Sequence, residues 1–203
     1  MKLPELAIFD LGGVVIHNWQ TLGRIARLYR LDEEKLYADY LSSDAPLMEG
    51  TLSTKGWWLH ICDKFSLPAE ARSSDPLYDQ FHCYADGQML AFIGQVKQLG
   101  VRVVCGSNTC APHWEKMRAA GSLTSLFDAC YLSHELHIRK PDDEFFLAIL
   151  HREGATPAGT VFTDDTKENV DAASRLGIDA LWYHSDSRWS GLDRLRLRFG
   201  LLT

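Results

Sequence analysis

The sequence predicts a doubly wound α/β fold, a parallel sheet with helices on both faces, and three observations predict it. Short apolar runs end abruptly in polar residues, segments of helical length and period separate those runs, and glycines stand where the helices must stop. Parallel neighbours in a sheet need crossover connections, and the crossover helices then cover both faces.

The elements follow in order. Leu6 to Phe9 is an apolar run closed by Asp10 and then Gly12 and Gly13, which reads as a buried strand entering a tight turn. Val101 to Cys105, Ala129 to Leu132 and Thr160 to Thr163 repeat that pattern, and Ala180 to Tyr183 supplies a fifth strand. Helices are expected at Asp86 to Leu99, His113 to Ala120, Asp142 to Arg152 and Lys167 to Leu176. Gly100, Gly154 and Gly177 each follow a helical stretch and precede a strand, where a residue that tolerates positive φ ends the helix.

From Asn18 to Tyr84 the pattern changes. No strand is expected there, and helical patterns at Leu22 to Tyr29, Glu33 to Leu41 and Thr54 to Phe65 fill the stretch, with breaks at Leu67–Pro68 and Asp75–Pro76. Its aromatic residues, Trp57 and Trp58 among them, suit the core of a small bundle. The expected organisation is a core domain from residues 1–17 and 86–203, with residues 18–85 as a helical domain inserted after the first strand.

With 203 residues, 46% hydrophobic and 24% charged, the chain can bury a core without staples and is not of disordered composition. A net charge of −6 argues against a nucleic-acid or anionic-membrane partner. No stretch approaches the roughly 18 to 20 apolar residues of a membrane span, and a cytoplasmic protein, monomeric or weakly dimeric, is expected. Five cysteines without CxxC spacing suggest neither a disulfide framework nor a zinc site.

Ligands of doubly wound sheets bind outside the carboxyl ends of the strands. There stand Asp10 after the first strand, Ser107-Asn108-Thr109 after the second, and Asp164-Asp165 after the fourth, with Lys140 ahead of a core helix. Each has an ordinary explanation alone: a turn aspartate, a helix cap, a loop lysine. Together, three carboxylates near a lysine and a hydroxyl describe a site for a hard cation and an oxyanion. Magnesium commonly bridges one or two carboxylates to a phosphate, and Lys140 can neutralise charge on a transferring phosphoryl group.

FDLGGV (Phe9 to Val14), GSNT (Gly106 to Thr109), RKPD (Arg139 to Asp142) and FTDDTKENVDAA (Phe162 to Ala173) resemble, in order and spacing, the four motifs of the haloacid dehalogenase superfamily. The resemblance implies a Rossmann-like core with a small helical cap after the first strand, and hydrolysis of a small phosphorylated metabolite. It is nearest to the sugar-phosphate and epoxide-hydrolase-associated phosphatases, to which MEGTLS (Met48 to Ser53) also points. It further implies that Asp10 attacks phosphorus, that Ser107, Asn108 and Lys140 hold the phosphoryl group, and that Mg²⁺ is bound by Asp10, the Gly12 carbonyl and Asp165. Asp164 is expected as an outer ligand or as the partner of Lys140, and Asn169 as a support for the ligands.

One position departs from that pattern. Most phosphatases of the family carry an aspartate two residues after the nucleophile as general acid and base, and here Gly12 stands there. Glycine keeps the carbonyl for a metal but loses the proton carrier, so slow turnover or an easy leaving group, such as an anomeric sugar, is expected. His17 is the nearest titratable side chain downstream that could substitute, although an ordinary hinge role fits it better. Two rivals follow: a metal-independent 2-haloacid dehalogenase, which the paired aspartates oppose by repelling a carboxylate substrate, and a phosphate-binding or regulatory protein of the same fold.

Overall fold

The computed structural model describes residues 3–18, 20–119, 123–184 and 190–201. Five strands form one parallel sheet: β1 (Leu6–Phe9), β4 (Arg102–Ser107), β5 (Ala129–Leu132), β6 (Thr160–Asp164) and β7 (Asp179–Trp182). Their order is β5-β4-β1-β6-β7. Two short strands, β2 (Ile16–Asn18) and β3 (Cys83–Ala85), pair antiparallel as a separate ribbon. Phe9 pairs with Cys105 on one side and Thr163 on the other. That register brings Asp10, Ser107 and Asp164 together at the carboxyl ends of the three central strands.

Strand side chains alternate between faces, and the packing follows. Ala7, Phe9, Val103, Cys105 and Val161 belong to one core cluster, packed with α5 (Gly87–Gln98) and the C-terminal helix Gly191–Arg198. Leu6, Ile8, Val104 and Phe162 belong to a second, with Phe145, Phe146 and Ile149 from the helix Asp143–Glu153 and Ala172 and Ala173 from the helix Lys167–Arg175. Large side chains buried on both faces stabilise the sheet by about 1.5 to 3 kcal/mol each relative to exposure. Gly100, Gly154 and Gly177 have φ of 80°, 62° and 84°, as the helix stops require.

Between the two ribbon strands run α1 (Thr21–Tyr29), α2 (Glu33–Met48), α3 (Thr54–Lys64) and α4 (Pro76–Asp79). Asp32 and Ser53 cap the N-termini of α2 and α3 through Lys35 N and Gly56 N. These helices close a core of their own, in which Trp57 and Trp58 are both fully buried. The Trp57 indole donates to Asp39 and the Trp58 indole to the Ala71 carbonyl.

Three expectations need correction. A strand, Cys83–Ala85, ends the stretch read as strand-free, because three residues are too few to display a period. Helix α2 continues past Leu41 to Met48, because Leu47 and Met48 bury against the helical core even with Pro46 inside the helix. The helix expected from His113 begins at Ala111 and runs to Ala119, where its description ends, Ala120 lying outside the described residues. The remaining boundaries shift by one or two residues. Among the described residues no helix is long and apolar enough to cross a membrane.

Candidate active site

At the aligned strand ends, Lys140 is the centre of the charge. Its ammonium lies 2.9 Å from Asp10 Oδ1 and 2.6 Å from Asp164 Oδ2, with only 1% of the residue exposed. Burial works against its proton, but the two carboxylates outweigh burial and hold its pKa above the usual lysine value. Burial raises the Asp10 carboxyl to about 7 against the pull of Lys140, and neighbouring Asp164 adds to the rise. Asp165 is also raised, first by burial and then by Asp164.

Backbone and amide groups fix this arrangement. The Asn108 amide donates to the Lys140 carbonyl at 2.8 Å and accepts from the Lys140 N–H at 2.9 Å, so its side chain aligns the lysine loop. Asp164 accepts from Asn169 at 3.1 Å on both oxygens and from the Thr166 N–H at 2.8 Å. Of the two expectations for Asp164, the geometry realises the partner of Lys140. Asp10 N–H donates to the Thr163 carbonyl, tying Asp10 to β6. Ser107 is buried at the end of β4.

Asp10, Asp164 and Asp165 each offer a carboxylate oxygen within 4.8 Å of one another. Three carboxylates against one buried ammonium leave negative charge unmatched, and a set of hard oxygen donors in that state suits a divalent cation. The donor chemistry therefore fits magnesium, with Asp10 and Asp165 less engaged than Asp164. Gly13 makes room for the Asp165 carboxylate: at φ 72°, its missing Cβ would lie 2.0 Å from Asp165 Oδ2.

Two cavities meet here. One of about 510 Å³ is lined by Asp10, Gly12, Asn108, Arg139, Lys140 and Asp165. The other, of about 300 Å³, opens beside Ser107 under α2. Gly12, Asp44 and Asn108 belong to both linings. His17 lines neither; it lies in the ribbon, 3.6 Å from Asp86 and against the Tyr84 ring.

Three contributors were not singled out from the sequence. Arg139 pairs with Asp44 at 3.0 Å and lines the charged cavity beside Lys140. Asp44 comes from α2, and no local signal marks it. Ser133 follows the end of β5, where the strand-end rule would have found it; its hydroxyl accepts from Thr109 N–H at 3.0 Å and donates to the Met48 carbonyl at 2.6 Å. It joins the Ser107 loop to the end of α2.

Residues 82–183 match the family described as haloacid dehalogenase-like hydrolase. Sesquiterpene phosphatase astK of Aspergillus oryzae is 34% identical over 96 residues, covering 47% of this chain and 49% of that protein, so the match spans about half the relative's length. A HAD family enzyme from Bacteroides thetaiotaomicron, solved as a magnesium complex, is similar in fold with a TM-score of 0.77 at 22% identity over 95% of this chain and 100% of that one. The L-2-haloacid dehalogenase RSc1362 is similar with a TM-score of 0.71 at 14% identity, covering 93% and 90%.

Proposed function

Because the chain belongs to the haloacid dehalogenase-like hydrolase family, we propose that it is a magnesium-dependent phosphatase of a small phosphomonoester, acting through an aspartyl-phosphate on Asp10. One observation carries this reading: Lys140 contacts both Asp10 and Asp164, and its single charge leaves the three-carboxylate cluster short of positive charge. A site that needs a cation is the kind that a phosphate and magnesium complete jointly. The astK match supports a phosphatase rather than a dehalogenase.

Lys140 engages Asp10 Oδ1, which leaves Oδ2 to attack phosphorus. The P–O bond to the ester oxygen breaks as the bond from Asp10 forms, the leaving oxygen takes its proton from solvent, and water then hydrolyses the acyl phosphate, returning a proton to solvent. Lys140, Ser107 and the amides after it hold the phosphoryl oxygens, while the Asn108 side chain keeps the lysine loop in register. Asp10, Asp165 and the Gly12 carbonyl, with Asp164 behind them, would hold magnesium, and the ion would supply positive charge to the transferring group. Nothing at position 12 can donate a proton to the leaving oxygen, help ordinarily worth about 10² to 10⁴-fold. Turnover is therefore expected to be slow, with selectivity set by how the alcohol part is bound. Residues 18–85 act as a cap that shields the site from water and selects the ester group.

The test is phosphate release from a panel of phosphomonoesters with and without magnesium, beside Asp10→Asn. Magnesium-dependent release abolished by Asp10→Asn is expected. Chloride release from 2-chloropropionate that survives EDTA would replace this reading with dehalogenation, and ligand binding without turnover would leave a phosphate-binding protein.

A further inference from the structure

We propose that the ester group this phosphatase accepts is a hydrocarbon chain of about ten carbons, seated in the cavity under α2. The inference rests on the phosphatase reading and specifies its substrate class. The cavity of about 300 Å³ adjoins the charged one at Gly12, Asp44 and Asn108. An ester whose phosphate lies at Lys140 therefore has its alcohol part directed to this second space. At the roughly 30 Å³ that a water occupies in the liquid, the cavity has room for about ten non-hydrogen atoms.

Its wall is apolar where the alcohol part would rest. Leu11, Ile16, Met48, Phe81 and Met117 line it, each less than a tenth exposed. Beside the Ser107 and Tyr40 hydroxyls, the polar side chains Asp44, His113 and Thr109 of the same wall already have partners within the protein. Asp44 is paired with Arg139 at 3.0 Å. His113 donates Nε2–H to the Leu77 carbonyl at 3.1 Å and lies flat on Phe81, with ring centroids 4.0 Å apart. The Thr109 hydroxyl reaches the Cys110 carbonyl at 3.4 Å. A sugar would bring several hydroxyls to this wall, and hydroxyls desolvated without partners are costly. A hydrocarbon has no such requirement, and each methylene gains from burial.

Length is limited by Tyr40. A further cavity of about 310 Å³ lies between α1 and α2, and Tyr40 and His113 line both spaces. The Tyr40 ring is braced edge-on against buried Trp57, with centroids 5.8 Å apart. It is therefore a fixed end wall, and its removal would join the two spaces.

The experiment is magnesium-dependent phosphate release from ethyl, hexyl, decyl and hexadecyl phosphates below their micelle concentrations, and from glucose 1-phosphate. For the wild type, kcat/KM should rise from ethyl to decyl by up to about four-fold per methylene, then stop rising, with glucose 1-phosphate below decyl. Tyr40→Ala should shift the preferred chain beyond decyl, and Met117→Asn, a second variant should the first not fold, should flatten the slope. A kcat/KM flat in chain length, or higher for glucose 1-phosphate than for decyl phosphate, overturns the inference while the phosphatase reading stands. An unchanged preferred length in folded Tyr40→Ala removes Tyr40 as the end wall. Release from every ester no greater than that of Asp10→Asn overturns the phosphatase reading, and this inference with it.

Discussion

The two cavities meet at Gly12, Asn108 and Asp44, yet they are built in opposite ways. The charged one is made by residues that follow parallel strands, and its side chains are held by several short polar contacts. Asp164 alone accepts from Lys140, Asn169 and Thr166. The apolar one is a gap between the sheet core and the helical segment, with Leu11, Ile16 and Met117 on the sheet side and Tyr40 and Met48 on the helical side. The first is rigid because hydrogen bonds have narrow geometry, whereas the second depends only on shape. Chemistry can thus be fixed by one region while selectivity varies in the other.

The largest effect that could break this contrast is at Lys140. Lys140→Met leaves Asp10 and Asp164 buried beside each other without a counter-charge. Removing one partner of a buried ion pair typically costs about 3 to 5 kcal/mol. Metal-free protein should lose stability of that order in urea unfolding, and phosphate release should fall by about 10³-fold or more. A variant as stable as the wild type would show that the charged region is not held together by this lysine.

Next in size is the acid response of His113, which belongs to the apolar wall. Burial lowers its pKa to about 4, below the ordinary value near 6.5. The unfolded chain therefore takes up this proton first as pH falls, so stability is full above about 6.5 and is lost progressively down to about 4. The span of that loss is about 3 kcal/mol. Urea unfolding of wild type and His113→Gln across this window should converge as pH falls, since the variant lacks the titration. Parallel curves would mean that His113 titrates alike in both states.

The charged region was largely legible in the sequence, and the reason is local. Asp10, Ser107 and Asp164 each follow an apolar run by at most two residues, and a parallel sheet places such positions side by side whatever connects them. Lys140 was legible as a motif near the carboxylates, although the Asn108 amide that holds its loop was not. The apolar region was not legible, because Tyr40, Met48, Phe81 and Met117 become neighbours only when the helical segment docks. Arg139 and Asp44 are 95 residues apart, and nothing near either announces the other. The tight turn at Gly13 was legible, but the Asp165 carboxylate pressing on it was not.

That glycine gives a test confined to the charged region. Gly13→Ala would place a Cβ 2.0 Å from Asp165 Oδ2 on a backbone at φ 72°. The carboxylate must shift, and the strained backbone costs about 1 kcal/mol. The magnesium concentration for half-maximal activity should rise by about 10 to 100-fold, as when the support of a metal ligand is lost. Chain-length preference should not change. A changed preference with unchanged magnesium response would mean that Gly13 serves the apolar side.

The smallest effect belongs to the joint between the regions, the Arg139–Asp44 pair. Its side chains are 28% and 35% exposed, so solvent screens the attraction. Burial raises the Asp44 pKa despite Arg139, so the pair does not compensate what Asp44 loses in leaving water. A double-mutant cycle of Arg139→Gln and Asp44→Asn, read by urea unfolding, should give a coupling of about 0.2 to 1 kcal/mol. A joint that weak orients α2 over the site without locking it. A coupling above about 2 kcal/mol would put this pair among the tightly held groups of the charged region and make the docking of α2 a fixed property of the fold.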